Sequence, residues 1–537
     1  MSIALERVRP TLVDNVIAVI VVLGAFATVL ACTRSEIFDL DRFLVPKALS
    51  VHAAALLCLA LLLPGWRRIE LGVVDLLLAL FLGWTALAAL FASNRWLGLY
   101  GLGLSFSSFV VYLAARRVAA TRGRWVVGGL AAAATLAAAL GAGQAYGLDL
   151  SWFSDTRPPG GTFGNRNFLA HLIAISAPLL LMARLRARRP LTARLALAAI
   201  FVAGVAIVLT RSRAGWLGLS AALAAMAVAA IVGRRTLRAG VVPGRLRGAL
   251  VALALGAVVA ALAPNRLEWR SANPYSETFS RLTDYRGGSG RGRLIQYKNS
   301  LKMLERDPLF GAGPGNWFVQ YPRVTTPRDP AFDPDDPIPT NPWPSSDWVT
   351  YLVERGPIAV LLLLGAGAAT CLIALRRLRG QDPDAAVAAT MLLGVLAAAL
   401  VTGMFDAVLL LATPAFFVAA SMGALLPTTG AVVSRRLATR QRFGLASTAA
   451  VFALLVTLVT GGQLAAIILT YESTSRASME RALRFDPGDY RLHLMMMRRG
   501  SCSRRVPHAR AAASLMPYHA APRQALAECG IRVKRRR

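Results

Sequence analysis

The sequence predicts an all-α protein: a polytopic bundle of about 12–13 membrane-spanning helices carrying a large loop and a small helical tail. Three observations carry that reading. Hydrophobic residues make up 55% of the 537-residue chain and charged residues only 16%, whereas soluble domains carry roughly 25% charged residues. Apolar runs of about 20 residues, enough to cross the hydrocarbon core of a bilayer, recur along the chain. The basic residues behind the net charge of +32 gather in alternate connections between those runs, as in cytoplasmic loops.

Taken in order, the runs place spans at 14–32, 47–64, 72–92, 97–115, 125–146, 168–183, 192–210, 214–233, 248–263, 348–374, 385–404, 407–427 and 444–470. The two meeting at Met404-Phe405-Asp406 also read as one, and Gly and Ser weaken the fourth. Backbone groups in lipid must bond within their own segment, so each span is a helix. With the N-terminus in the cytoplasm, the inner connections hold 25 arginines, from Arg7 and Arg9 through Arg442. The short outer connections hold eight basic residues: Arg34, Arg42, Lys47, Arg95, Arg157, Arg166, Arg211 and Arg213. This asymmetry predicts a cytoplasmic N-terminus and an outer C-terminus. Topology accounts for most of the positive charge, so nucleic acid is not expected as a partner. The first span, preceded by Arg7 and Arg9, reads as a retained anchor.

Four regions result: a bundle of about nine spans over 1–263, an outer loop over 264–346, a bundle of about four spans over 347–470, and an outer tail over 471–537. A loop of that length generally has work to do. In the tail, Cys502 and Cys529 are the only cysteines, and an oxidising compartment favours a disulfide between them. Cys32, Cys58 and Cys371 read as small apolar residues in or at the ends of spans. Pro487 and Pro517, 30 residues apart, each close an Ala-rich amphipathic stretch, resembling a degenerate form of the tetratricopeptide repeat of about 34 residues. Lys534, Arg535, Arg536 and Arg537 suit anionic lipid or glycan, or are a plain charged end.

Polar residues collect at the outer ends of spans in four places. The first is Pro158-Pro159-Gly160-Gly161-Thr162-Phe163-Gly164-Asn165-Arg166-Asn167, which leads into a span containing His171. The second is Thr210-Arg211-Ser212-Arg213-Ala214-Gly215-Trp216, which breaks the charge rule. The third contains Arg291, Arg293, Tyr297 and Lys298, followed by Asp307-Pro308-Leu309-Phe310-Gly311-Ala312-Gly313-Pro314-Gly315. The fourth runs from Ser345-Ser346-Asp347-Trp348 to Glu354-Arg355-Gly356. Outer-face arginines that topology does not require suit a pyrophosphate, because a guanidinium offers paired donors and keeps its charge. Snorkelling to headgroups is the alternative for Arg211 and Arg213, and plain solvation for Arg291 and Arg293.

Other constellations are less informative. The glycines at 311–315 lack the strand context and the Lys-Ser/Thr of nucleotide loops, so a tight turn is expected. Asp329, Asp333, Asp335 and Asp336 do not follow the calcium-loop spacing and read as a solvated run. The histidines His52, His171, His493, His508 and His519 suggest neither a zinc site nor a Ser-His-Asp triad; no metal and no cofactor are expected. His171, less than two turns from Arg166, either lines a cavity or is a satisfied core histidine.

At these residues the chain resembles the O-antigen ligase and polymerase family of bacterial membrane glycosyltransferases. The resemblance covers roughly 158–356 together with the multi-span layout. It rests on the Gly-Asn-x-Asn turn at 164–167, Ser-Arg-Ala at 212–214, Arg293 before an amphipathic stretch, Asp307-Pro308-Leu309-Phe310-Gly311-x-Gly313, and an Asp-aromatic helix ending in Glu354-x-Gly356. It implies a glycan donor on undecaprenyl pyrophosphate and an acceptor hydroxyl on lipid A core, a glycan or a protein. It also implies a bacterial inner-membrane location with the chemistry on the periplasmic face, and neither nucleotide sugar nor required metal. Arg213 and Arg293 match the family's arginines best; Arg166, Asn167, Arg211, Arg291, Trp348 and Glu354 are further candidates for binding substrate. Where the family commonly has His-Asn before the Asp-aromatic position, this chain has Ser345-Ser346. Asp347 is then the expected base for the acceptor hydroxyl, with Glu354 second; an N-cap role for Asp347 stands beside that reading. Ligase, polymerase and protein O-glycosyltransferase stay open at this stage. A transporter would need paired intramembrane charges or an inverted repeat, and neither is found. A non-catalytic envelope scaffold is the remaining alternative.

Overall fold

The computed structural model describes residues 11–35, 40–154, 156–269, 271–280, 288–325, 329, 331–333, 336–339, 342–427 and 430–531. Arg7, Arg9, Asp335 and Lys534 to Arg537 lie outside them. The fold is an all-α bundle in which 12 helices are long and apolar enough to cross a membrane. The chain is a multi-pass membrane protein.

The first nine of these helices are α1 (Leu12–Leu30), α2 (Asp41–Leu62), α3 (Val73–Leu90), α4 (Arg95–Arg117), α5 (Ala119–Ala145), α6 (Arg166–Arg186), α7 (Pro190–Leu209), α8 (Arg213–Val232) and α9 (Pro243–Leu262). The loop carries α10 (Gly288–Leu304), and the second bundle contains α11 (Asp347–Leu378), α12 (Pro383–Phe405), α13 (Ala412–Leu425) and α14 (Thr439–Glu472). Helix starts follow capping chemistry: Thr11 and Asp14 form a capping box on α1, while Asn94, Asn165, Ser212 and Ser346 cap α4, α6, α8 and α11 through their side-chain oxygens. Helix α6 is the most enclosed span, with 78% of its apolar window buried, because α5, α7, α8 and α12 all pack on it. Residues on its first turns therefore sit near the middle of the bundle.

The run expected to span at 407–427 is helical only over Ala412–Leu425, 14 residues, or about 21 Å at 1.5 Å per residue. Residues 406–411 are non-helical and mostly buried. Non-helical backbone at the edge of a membrane bundle is tolerated where protein groups satisfy it. Here Asp347 does so, accepting from the amides of Val408 at 2.9 Å and Leu409 at 2.8 Å.

On one face of the bundle, the α2–α3 and α13–α14 connections join as a short antiparallel ribbon, β1 (Arg68–Leu71) against Val433–Arg436. On the other, the loop and the tail form one unit. Trp317, Phe318, Val319 and Tyr321 of the loop share a core with Val353 of α11 and with Tyr490, Leu494, Leu515 and Leu526 of the tail. The tail consists of α15 (Arg476–Phe485), α16 (Tyr490–Met497), α17 (Cys502–Leu515) and α18 (Ala520–Glu528). Their lengths of 10, 8, 14 and 9 residues are uneven beside stacked repeats. Cys502 and Cys529 are joined by a disulfide that closes α17 against α18. The turn at Gly488 rests on Trp96, the Asn94 side chain donates to the Leu515 carbonyl at 3.3 Å, and Arg491 pairs with Asp41.

The turn between α15 and α16 carries two buried acids. Burial pushes Asp486 up to about 7 and Asp489 up to about 6. A folded-state value above the unfolded one means that the packed tail favours the protonated acids. Their contribution to stability is therefore full below the ordinary carboxylate range and fades as pH rises through the 6–7 window of those two groups. Thermal unfolding of the full chain is expected to show a tail transition that shifts down between about pH 5 and about pH 8, and Asp486→Asn is expected to reduce that shift.

Candidate functional site

Two tight turns on the loop face deliver the first site residues. In the α5–α6 connection, Gly164 adopts φ +67°, and a Cβ there would lie 2.3 Å from the Phe43 ring. Asn165 follows as N-cap, accepting from the Asn167 amide at 2.9 Å, which sets Arg166 and Asn167 on the first turn of α6. In the α7–α8 connection, Arg211 takes φ +50°, the only positive φ at a non-glycine among the described residues. Ser212 then caps α8 through the Gly215 amide, so Arg213 opens that helix.

Arg166 and Arg211 are drawn together by Trp269, which sequence reasoning passed over. Both guanidinium groups stack on its indole, 4.9 Å and 4.6 Å from the ring centroid. Arg211 is held further by Thr278 Oγ1 at 2.8 Å and by Glu277 at 3.4 Å. Burial lowers the Arg211 pKa from its ordinary value, with Glu277 opposing that shift. Two cations on one aromatic ring form a preorganised site for a doubly charged anion.

Helix α10 brings the next group. The single hydroxyl proton of Tyr297 is shared between the carbonyls of Ser345 at 2.5 Å and Met404 at 3.1 Å, and Gln296 accepts from the Ser345 amide at 3.0 Å. The helix is thereby pinned across the start of α11 and the end of α12. Arg293 is half-buried and its charge reaches His171, whereas Arg291 is exposed. At the end of α12, Asp406 accepts from the Asn167 side chain at 3.4 Å and lies 3.9 Å from His171 Nε2. Asp406 is a second residue that sequence reasoning did not place in the site; a carboxylate between two apolar runs was its signal.

Asp347 is fully buried at the first position of α11, behind Ser346, which serves as the N-cap. Both its carboxylate oxygens are taken by the Val408 and Leu409 amides, so it holds the turn that carries Asp406. Glu354 lies apart from the arginines. It accepts from the Gly315 amide at 2.8 Å and the Trp317 amide at 2.9 Å, and clamps the glycine turn onto α11. At Gly356, φ +75° kinks that helix where the Leu309 carbonyl crosses it. Asp329 of the acidic run is also structural, accepting from Asn299, Tyr321 and the Ala331 amide.

Beside the start of α11 lies an apolar cavity of about 590 Å³. Trp348, Tyr351 and Leu400 line it at the loop-face end, and Leu375, Val418 and Met422 line it towards the opposite face. Trp348 is fixed by its indole N–H on the Leu400 carbonyl at 3.2 Å. Trp348 and Leu409 place this chamber, suited to a hydrocarbon chain, beside the start of α11 and the turn that follows Asp406.

Residues 197–364 match the family model described as O-antigen ligase. The chain carries an O-antigen ligase domain. The match and the apolar helices together make it a multi-pass membrane protein that is similar, over that segment, to the O-antigen ligases. The ligase segment contains Arg211, Arg213, Trp269, Arg291, Arg293, Asp347, Trp348 and Glu354; Arg166, Asn167, His171 and Asp406 come from outside it. No curated protein is matched by the sequence.

Proposed function

We propose that this protein transfers a glycan from undecaprenyl pyrophosphate to an acceptor hydroxyl at the periplasmic face of the bacterial inner membrane. The N-terminus is then cytoplasmic and the tail periplasmic. The observation that carries this reading is the O-antigen ligase match across the segment that supplies Arg211, Arg213 and Arg293. In this reading Arg213 and Arg293, with Arg166 and Arg211 on Trp269, receive the pyrophosphate as it departs; such preorganised charge is usually the largest part of transition-state stabilisation. The cavity behind Trp348 shelters part of the polyprenyl chain. Asp406 takes the proton of the acceptor hydroxyl, and Asp347 keeps the Asp406 turn in place. The acceptor is lipid A core, another glycan or a protein.

Membranes from a strain lacking the protein hold both donor and acceptor, so purified full-length protein added to them tests the reading. Wild-type protein is expected to release free carrier and to build glycan onto the acceptor. Arg213→Ala is expected to lower both by about 100-fold while protein levels stay constant. Full-rate transfer by Arg213→Ala would remove that arginine from the mechanism, and uptake of donor into vesicles without carrier release would make the protein a transporter.

A further inference from the structure

We infer that His171 is the proton partner of Asp406, in a chain that has Ser345 where the resembled family commonly has a histidine; this rests on the glycosyl-transfer reading above. Ser345 has no titratable group, and its amide and carbonyl are engaged by Gln296 and Tyr297. His171 comes from a different helix, on the second turn of α6. It is fully buried, and neither of its ring nitrogens has a hydrogen-bond partner among the described residues.

A histidine kept only for packing would find partners. His52, the other histidine buried in a span, pairs its Nδ1 with Ser107 Oγ at 2.8 Å and, among the described residues, leaves only Nε2 without a partner, where His171 leaves both nitrogens. Leaving both nitrogens of a buried ring unpaired costs stability and demands a reason. The surroundings of His171 supply one, because polar groups of α6, α10 and α11 gather around the pair or the turn that carries it. Asn167 on α6 bonds Asp406 Oδ2, the oxygen 3.9 Å from His171 Nε2. Arg293 on α10 lies near enough for its charge to act on the imidazole, and Tyr297 on the same helix bonds the Met404 carbonyl beside Asp406. Asp347 on α11 holds the amides of Val408 and Leu409, just after Asp406. A separation just beyond hydrogen-bond reach is common for catalytic pairs before substrate draws them together.

The chemistry balances. The acceptor oxygen forms its bond to the anomeric carbon, and the bond from that carbon to the pyrophosphate oxygen breaks. The electron pair leaves with the pyrophosphate towards Arg213 and Arg293. The acceptor proton passes to Asp406 Oδ2, at the edge of the cluster, and on to the free Nε2 of His171. From the imidazole it returns to water or to the released pyrophosphate. The charge gained by His171 is offset by the pyrophosphate that has just arrived on the arginines. His171 is thus a positioning residue that acts through Asp406.

The test uses full-length protein in membranes that supply donor and acceptor, with transfer followed between about pH 5 and 9. His171→Gln preserves polarity but cannot titrate. It is expected to lower kcat about 100-fold with the donor KM unchanged, and to change the acid limb of the kcat profile. Asp406→Asn is expected to fall as far, and the double variant no further, because the two act as a unit. Wild-type rate and acid limb in His171→Gln, or losses that multiply in the double variant, would overturn the inference. If His171→Gln does not fold, Asp406→Asn alone decides, and full-rate transfer by it overturns the inference. Arg293→Ala separates the two levels: if it is inactive while His171→Gln is fully active, only the proton partner is wrong. If the wild-type protein neither releases carrier nor builds glycan onto the acceptor, the glycosyl-transfer reading falls, and the inference with it.

Discussion

Arg293→Ala is expected to slow glycan transfer by about 10²–10³-fold, whereas Arg291→Ala two residues away changes it by no more than about threefold. The contrast follows from the register of α10. Tyr297 and Gln296 pin that helix across the ends of α11 and α12, which leaves Arg293 half-buried facing His171 and Arg291 exposed. A guanidinium already held where negative charge develops needs no reorganisation during the reaction. An exposed arginine is screened and contributes little. Arg293→Lys is expected to recover only part of the loss, because an ammonium keeps the charge but loses the two-pronged geometry. Carrier release and acceptor glycosylation in donor-containing membranes measure all three; equal effects at 291 and 293 would contradict the placement of α10.

Gly356→Ala carries the largest expected structural effect. Gly356 interrupts α11 at φ +75°, and a Cβ built there would lie 1.8 Å from the Leu309 carbonyl oxygen. The backbone conformation alone costs a non-glycine residue about 1–3 kcal/mol, and the clash adds to it because both partners are main chain. The turn cannot simply move away. Glu354 holds it through Gly315 and Trp317, and the Ala312 amide bonds the Val353 carbonyl. The variant is expected to lose stability by about 3 kcal/mol or more, seen as a lower thermal transition and faster proteolysis of the loop. A residual protein with the wild-type melting profile would refute the account of the kink.

The spans were legible because lipid imposes one requirement, about 20 apolar residues whose backbone bonds internally. The segment 407–411 shows where that legibility ends. Apolarity reports that Ala407, Val408 and Leu411 are buried, but the conformation was set by a carboxylate some 60 residues earlier in the chain, at Asp347. The loop-face arginines were legible because they depart from the charge pattern of the connections. Trp269 was not, since nothing at position 269 signals that Arg166 and Arg211 converge on it. Glu354 illustrates the converse. Its chemistry suited a substrate, yet its partners are the backbone amides of a glycine turn, a role visible only once the turn is folded against α11. Ser346, not Asp347, took the capping position, a one-residue difference that frees the acid to bond across to the non-helical segment after α12.

The core shared by the loop and the tail bears on how the protein is made. Trp317, Phe318 and Val319 are emplaced well before Tyr490, Leu494 and Leu515, the side chains that cover them. During synthesis the loop must therefore wait, with apolar surface uncovered, until four more helices have been made and the tail has followed them. Exposed apolar surface in such an intermediate invites misassembly or capture by chaperones. The same order of events delays completion of the α11 start, which carries Val353 of that core and, two turns earlier, Asp347. A truncated product stalled in the last membrane helix would thus hold every arginine of the site on an unfinished scaffold, and biogenesis itself limits when the centre becomes competent.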